Sequence, residues 1–334
     1  KRQLNFTENG AAAAINGAIV VADLDNTTLA SATVAISGNF VAGQDVLAFT
    51  NVPATMGNIT ASYNAATGVL TLSSAGNTAT VAQWQAALRA VQYSNTSEDP
   101  SALVRTVSYT VNDAAANSNT VSSTINVAPV NDAPVNTLPA GFTTNEDTTV
   151  GLTGLQVSDV DAGSGNVRIT LSVPSGALTA TAGGGVTVTG SGTGTLVLEG
   201  SLTSINAYLA SASRPNYVPA ANANGSVTLT MTTSDLGNTG SGGVLTDIDT
   251  ATITINSVAD APSGTDRTVT FNEDGTYTFS AADFPITDAN DSPPNTLQSV
   301  IITTLPPASQ GVLRFNGVAV TAGQSIPVGS LGLL

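Results

Sequence analysis

The residues with the clearest chemical meaning are acids that recur in step along the chain. Three segments open alike: Phe6-Thr7-Glu8-Asn9-Gly10, Thr144-Asn145-Glu146-Asp147-Thr148 and Phe271-Asn272-Glu273-Asp274-Gly275. An acidic loop follows each glutamate 13 to 15 residues later: Asp23-Leu24-Asp25, Asp159-Val160-Asp161 and Asp288-Ala289-Asn290-Asp291. Two linkers carry further oxygen donors, Asn131-Asp132-Ala133-Pro134 and Ala259-Asp260-Ala261-Pro262. Carboxylates drawn together repel one another and resist ionisation, and a bound dication removes that penalty. Calcium takes about six to eight oxygens at ~2.3–2.6 Å, whereas magnesium demands a tighter octahedron and sheds water reluctantly. A multi-carboxylate cage therefore predicts Ca²⁺.

The remaining composition excludes most other chemistry. The 334 residues contain neither cysteine nor histidine. Disulfides, the usual zinc spacings and Ser-His-Asp or Cys-His catalysis are thereby ruled out. The one lysine is Lys1, so an internal Lys–Asn isopeptide staple is ruled out too. Eight Lys+Arg against 23 Asp+Glu give a net charge of −15. So few cations cannot form a phosphate-binding face, and no nucleic-acid partner is expected. No apolar run approaches the ~20 residues of a membrane helix, and no membrane insertion is expected. Paired carboxylates also serve glycosidases, but that needs a cleft lined with aromatics, and aromatics are only 4% of this chain. Gly183-Gly184-Gly185 lacks a following helix or lysine, so it reads as a hairpin tip and not a phosphate loop.

The elements that must position the acids repeat as well. A Gly-x-Leu-x-apolar strand appears at Gly68–Leu72, Gly194–Leu198 and Gly311–Phe315. Twice a short helix follows, with Val81, Trp84, Leu88 and Val91, then Leu202, Ile205 and Leu209, at helical spacing; Ser201 is placed to cap the second. Trp84 on such a stripe reads as core, with a carbohydrate platform as the lesser alternative. A tyrosine (Tyr93, Tyr217) and two alternating strands close each repeat. Short β-rich runs at this spacing predict an all-β fold of tandem Greek-key β-sandwiches, each with one short helix, arranged as an extended array. The expected units are 1–130, 131–258 and a truncated 259–334.

Strand directions then assign the acids to ends. Three strands are expected between each acidic loop and the helix. Glu8, Glu98 and Asp99 fall at the bottom of the first unit, and Asp23, Asp25 and Asp113 at its top, where they would face a preceding unit. Asp159, Asp161 and Asp235 fall at the top of the second unit. Asn131 and Asp132 lie between, completing a first junction. A second junction would use Glu146, Asp147, Asp260, Asp288 and Asp291, with fewer or weaker sites because residues 217–222 offer no acid like Glu98-Asp99. Glu273 and Asp274 would face a following unit. Glu98-Asp99 can equally be a solvated turn, and Asp247-Ile248-Asp249 reads as an exposed edge before a strand. Asp45, Asp266 and Asp283 have no role common to the repeats.

The Glu, Asp-x-Asp and Asn-Asp-Ala-Pro succession resembles the cadherin-like tandem repeats of large bacterial surface and secreted adhesins. The third repeat, with Phe315-Asn316-Gly317-Val318-Ala319-Val320-Thr321-Ala322-Gly323, resembles the proteoglycan-type cadherin-like repeat. The resemblance implies calcium at the junctions, an extended rod, an extracellular or cell-surface location, and adhesion or display without enzymatic activity. Partners would be neighbouring repeats or other copies of the chain, and a cell-surface glycan or protein. Alternative readings are a carbohydrate- or surface-binding module and a filament subunit joined by strand addition.

Overall fold

Strict alternation of apolar and polar residues builds half-buried strands. In Arg105–Asn112 it sends Arg105, Val107 and Tyr109 inward, leaving Thr106, Ser108 and Thr110 half-buried on the other face. A computed structural model describes residues 2–334. Its first unit runs β1 (Gln3–Thr7), β2 (Ala13–Ala14), β3 (Ser31–Gly38), β4 (Asp45–Ala48), α1 (Pro53–Met56), β5 (Ile59–Asn64), β6 (Val69–Ser74), α2 (Val81–Arg89), β7 (Gln92–Asn95), β8 (Arg105–Asn112) and β9 (Val121–Ala128). A six-stranded sheet, β1-β9-β8-β3-β6-β5, faces a three-stranded one, β2-β7-β4. The β1–β9 pairing is parallel, and the other pairings are antiparallel.

The second unit runs β10 (Val135–Thr137), β11 (Gly141–Asn145), β12 (Val150–Gly151), β13 (Gln156–Ser158), β14 (Asn166–Ser172), β15 (Ala177–Thr179), β16 (Thr187–Thr189), β17 (Thr195–Ser201), α3 (Leu202–Ala210), β18 (Asn216–Val218), β19 (Gly225–Ser234) and β20 (Thr246–Asn256). Its sheets are β11-β20-β19-β14-β17-β16, β12-β18-β15 and the two-stranded β10-β13, with β11 again parallel to β20. The fold is therefore an all-β sandwich, made twice. Each sandwich encloses its own buried cluster of aliphatic and aromatic side chains. Beyond residue 259 only short pairings form, such as Ser299–Ile302 with Gln324–Pro327, around a small cluster of Val320, Ile326, Leu331 and Leu334.

Both expected helices are present. Thr80 closes a capping box on α2: its Oγ1 accepts from Gln83 N at 3.3 Å, and its own N donates to Gln83 Oε1 at 2.9 Å. Ser201 Oγ accepts from Ser204 N at 3.2 Å on α3. Such caps satisfy backbone N–H groups that have no partner within the helix. Trp84 is fully buried and its Nε1 donates to Leu29 O at 3.0 Å, which makes it core. Gly183 bridges Val186 across the tip formed by Gly184 and Gly185. Among the described residues, no helix is long and apolar enough to cross a membrane.

Two expectations need correction. Four strands, not three, separate Asp25 from α2, because residues 59–74 fold into the β5–β6 hairpin. The turn of that hairpin holds Gly68 at φ +68°, with the Phe40 ring 2.7 Å from where a Cβ would stand. The extra strand is matched by β7, a short strand between α2 and β8. Asp247-Ile248-Asp249 lies within β20 and not before it, and Asp247 Oδ2 accepts from Asn136 N at 2.7 Å. Replacing Trp84 by alanine should destabilise the first sandwich by about 3–5 kcal/mol, through lost burial and an unfilled cavity. A urea titration followed by circular dichroism reads this as an early transition that leaves the second sandwich's transition in place.

Candidate metal centre

The parallel pairing of β1 with β9 decides where the first glutamate sits. The two strands end together, so Glu8 emerges beside the linker, with its N donating to Ala128 O at 3.0 Å. Its Oε2 accepts from Val130 N at 2.7 Å. The loop between β7 and β8 reaches the same end and brings Glu98, whose Oε2 accepts from Asn9 Nδ2 at 2.8 Å. Carboxylate oxygens of Glu8, Glu98 and Asp132 lie within 4.8 Å of one another.

The second sandwich supplies the facing wall. Asp132 N donates to Asp161 Oδ2 at 2.9 Å. Asp159 Oδ1 accepts from Asp161 N and Ala162 N at 3.3 and 3.1 Å, which curls the Asp-x-Asp segment around itself. Asn131 Nδ2 donates to the Asp235 carboxylate and, at 2.8 Å, to Gly243 O. Asp235 Oδ1 takes Gly237 N and Leu245 N at 2.8 and 2.9 Å. The first junction thus joins Glu8, Glu98, Asn131, Asp132, Asp159, Asp161 and Asp235. Asp99 is not among the carboxylates grouped here, and its N donates to Ser97 Oγ at 3.1 Å.

A loop that carries no acid completes this junction, and the repeat pattern does not reveal it. Asn131 N donates to Ser241 O at 2.8 Å, and Ser241 N to Pro129 O at 3.0 Å. Gly240, at φ +88°, lies so close that an added Cβ would come within 2.5 Å of Val130 C. Its only signal in the sequence is the glycine density of Thr239-Gly240-Ser241-Gly242-Gly243.

The second junction is built from the same parts, with fewer of them. Glu146 N donates to Asn256 O at 2.9 Å, and the Glu146 carboxylate accepts from Val258 N. Asp260 N donates to Asp291 Oδ1 at 2.7 Å. Asp288 Oδ2 accepts from Asn295 N at 2.7 Å, and Asn295 Nδ2 donates to the Asp291 carboxylate. Asp147 is turned instead to Asn222, whose N it accepts at 3.1 Å. At the far end of the first sandwich, Asp23, Asp25 and Asp113 gather around Asn26. Asp23 Oδ1 accepts from Asp25 N and Asn26 N, and Asn26 Nδ2 donates to Asp113 Oδ2 at 3.1 Å.

The two junctions share an electrostatic signature. Glu8 Oε1, Asn131 Oδ1, Asp132 Oδ2, Asp159 Oδ2 and Asp161 Oδ1 are buried oxygens without a hydrogen-bond donor among the described residues. Glu146 Oε2 and Asp260 Oδ2 match them at the second junction. Buried polar atoms almost always have partners, so a group of bare oxygens fits a cation. Loss of water pushes the Glu8, Asp132 and Asp260 carboxyls up, and neighbouring carboxylates add to it. Asp159 is pushed up to about 6, first by loss of water and then by Asp161. By contrast, backbone N–H donors hold Asp23 and Asp113 below the ordinary aspartate range.

No protein-family model matches the chain. Over 90 residues, 27% of the chain, it is 38% identical to Halomucin of Haloquadratum walsbyi (strain DSM 16790 / HBSQ001), and that match spans 1% of Halomucin's length. Among solved structures, the extracellular cadherin domains 3–6 of protocadherin Gamma B2 align with 97% of this chain and 63% of their own, at 16% identity and a TM-score of 0.40. Human CDH23 EC21-23 aligns with 98% of this chain and 92% of its own, at 16% identity and a TM-score of 0.36.

The raised carboxyls give a definite pH dependence in the absence of divalent cations. A group whose folded pKa lies above its unfolded value binds more protons when folded, so stability falls as pH rises between the two values. For Asp159 that window runs from the ordinary 3.8 to about 6. In EDTA the urea midpoint should therefore rise as pH falls from 7.5 toward 5. It should turn down near and below 4, as Asp23 and Asp113 protonate. Asp159→Asn should flatten the first limb.

Proposed function

We propose that the chain is a run of β-sandwich units, 1–130, 131–258 and 259–334, stiffened by calcium at their junctions. Its work is mechanical: to extend or present another part of a bacterial cell-surface or secreted adhesin. The observation that carries this reading is the set of five buried oxygens on both sides of the first linker that have no hydrogen-bond partner among the described residues. Glu8, Glu98, Asn131, Asp132, Asp159 and Asp161 would hold the metal there, and Asp235 would orient Asn131. Glu146, Asp260, Asp288 and Asp291 would form a smaller set at the second junction. Asp23, Asp25 and Asp113 would serve a junction with another unit. The bound cation would neutralise carboxylates that otherwise repel across the linker. The residue pattern resembling cadherin-like adhesin repeats supports the same reading, and the setting that goes with it is extracellular or cell-surface. The partners are neighbouring repeats or further copies of the chain.

A ligand that binds the folded junction alone stabilises by RT ln(1+[L]/Kd), about 2.7 kcal/mol at a hundredfold excess over Kd. Thermal unfolding in millimolar calcium should therefore show a higher midpoint than in EDTA at equal ionic strength. Magnesium should reproduce little of the rise, and Asp159→Asn with Asp161→Asn should remove most of it. Identical curves with calcium and EDTA would overturn the proposal.

A further inference from the structure

The loop that carries Glu98, residues 96–104, hangs from a buried ion pair. Asp45 and Arg105 are 1% and 0% exposed, with Arg105 Nε 3.3 Å from Asp45 Oδ1. Tyr93 OH and Asn95 Nδ2 donate to the same oxygen at 2.5 and 2.9 Å, and Val41 N donates to Oδ2 at 2.8 Å. Two charges removed from water are often no more stable than a well-packed apolar pair of similar size. The sandwich itself does not need them, as its second copy shows.

Strand register identifies the counterparts. Asp45 lies opposite Asn95 and Leu47 opposite Tyr93. In the second sandwich Leu178 lies opposite Tyr217, which puts Gly176 where Asp45 stands. The Tyr217 hydroxyl occupies the space there, 2.7 Å from where a Gly176 Cβ would be. Arg105 lies opposite Ile125, and Val227 opposite Ile253. Those isoleucines hold the same place relative to Thr7 and Asn145, the residues that precede the two glutamates. Val227 thus stands where Arg105 does. The sandwich without the ion pair is also the one whose corresponding loop, residues 219–224, carries no acid.

The pair grips the acid-bearing loop at both ends. At its start, Asn95 donates to Asp45 and accepts Ser97 N at 2.9 Å. At its end, Arg105 Nη1 donates to Ser101 O and, at 2.8 Å, to Leu103 O. Glu98 lies between these ties with an exposed side chain. We propose that Arg105, held by Asp45, is a positioning residue that fixes loop 96–104 so that Glu98 reaches the cation at the first junction. This rests on the calcium reading above.

Arg105→Lys separates the two roles, since an ammonium can still pair with Asp45 but lacks the guanidinium's planar fork. In the full chain, amide hydrogen exchange followed through a calcium titration reports each junction separately: Asp132 N for the first and Asp260 N for the second. Arg105→Lys should weaken calcium protection at Asp132 about 10-fold, as Glu98→Gln should, the usual scale for loss of a group that orients a metal ligand. Protection at Asp260 should be unchanged, and amides 97–104 should exchange faster even in EDTA. Unchanged affinity at Asp132, an equal loss at both junctions, or unaltered exchange in the loop would overturn the proposal. If Arg105→Lys does not fold, Asp45→Asn with Arg105→Val removes both charges, with valine at 105 as Val227 stands in the second sandwich, and carries the same expectations. Absence of calcium protection in the unsubstituted chain would overturn the calcium reading and the role of Glu98 with it. The EDTA exchange rates would still show whether Arg105 holds the loop.

Discussion

A polar oxygen taken out of water needs a partner, and at the first linker four carboxylate oxygens and one amide oxygen are buried with no hydrogen-bond partner among the described residues. That deficit is the constraint on which the proposed calcium-held arrangement rests. Burial and mutual repulsion raise the carboxyls of Glu8, Asp132 and Asp159. Ionised carboxylates are therefore disfavoured where they stand, and the proposed cation would relieve that repulsion. Protons can do so weakly and a divalent cation strongly.

The backbone brings the oxygens together by a simple device. Because β1 runs parallel to β9, the residue after the first strand and the residues after the last one leave the sandwich side by side. Glu8 can then accept Val130 N, and Glu146 can accept Val258 N, in each case at the start of a linker. The same pairing in both sandwiches makes the junctions repeat. They differ in what surrounds the shared parts. The first has Glu98 on an anchored loop and a glycine-rich loop folded over the linker. The second has Asp147 turned to Asn222 and no acid in residues 219–224.

Much of this was legible in the residues because it is periodic or repeated. Alternation marks β8 and β9, the Trp84 stripe marks α2, Ser201 marks the start of α3, and the Glu and Asp-x-Asp spacings mark the two ends. What does not repeat was not legible. Asp45 and Arg105 are 60 residues apart and have no counterparts in the second sandwich, so nothing in the pattern pairs them. The β5–β6 hairpin turns on the single Gly68. The choice of Glu98 over its neighbour Asp99 depends on how Asn9 and Ser97 orient the turn, a matter of side-chain geometry. Likewise, only the folded chain shows Ser241 bridging Pro129 and Asn131.

The central claim is that cations at the junctions fix one sandwich against the next. The chain contains no cysteine, so spin labels can be placed on cysteines introduced at the exposed positions Ser62 and Thr187, one on each side of the first linker. Pulsed electron resonance then gives the distribution of distances between them. The account predicts a narrow distribution in calcium that broadens in EDTA and stays broad in calcium when Asp159 and Asp161 are both changed to asparagine. Equal widths with calcium and with EDTA would contradict it.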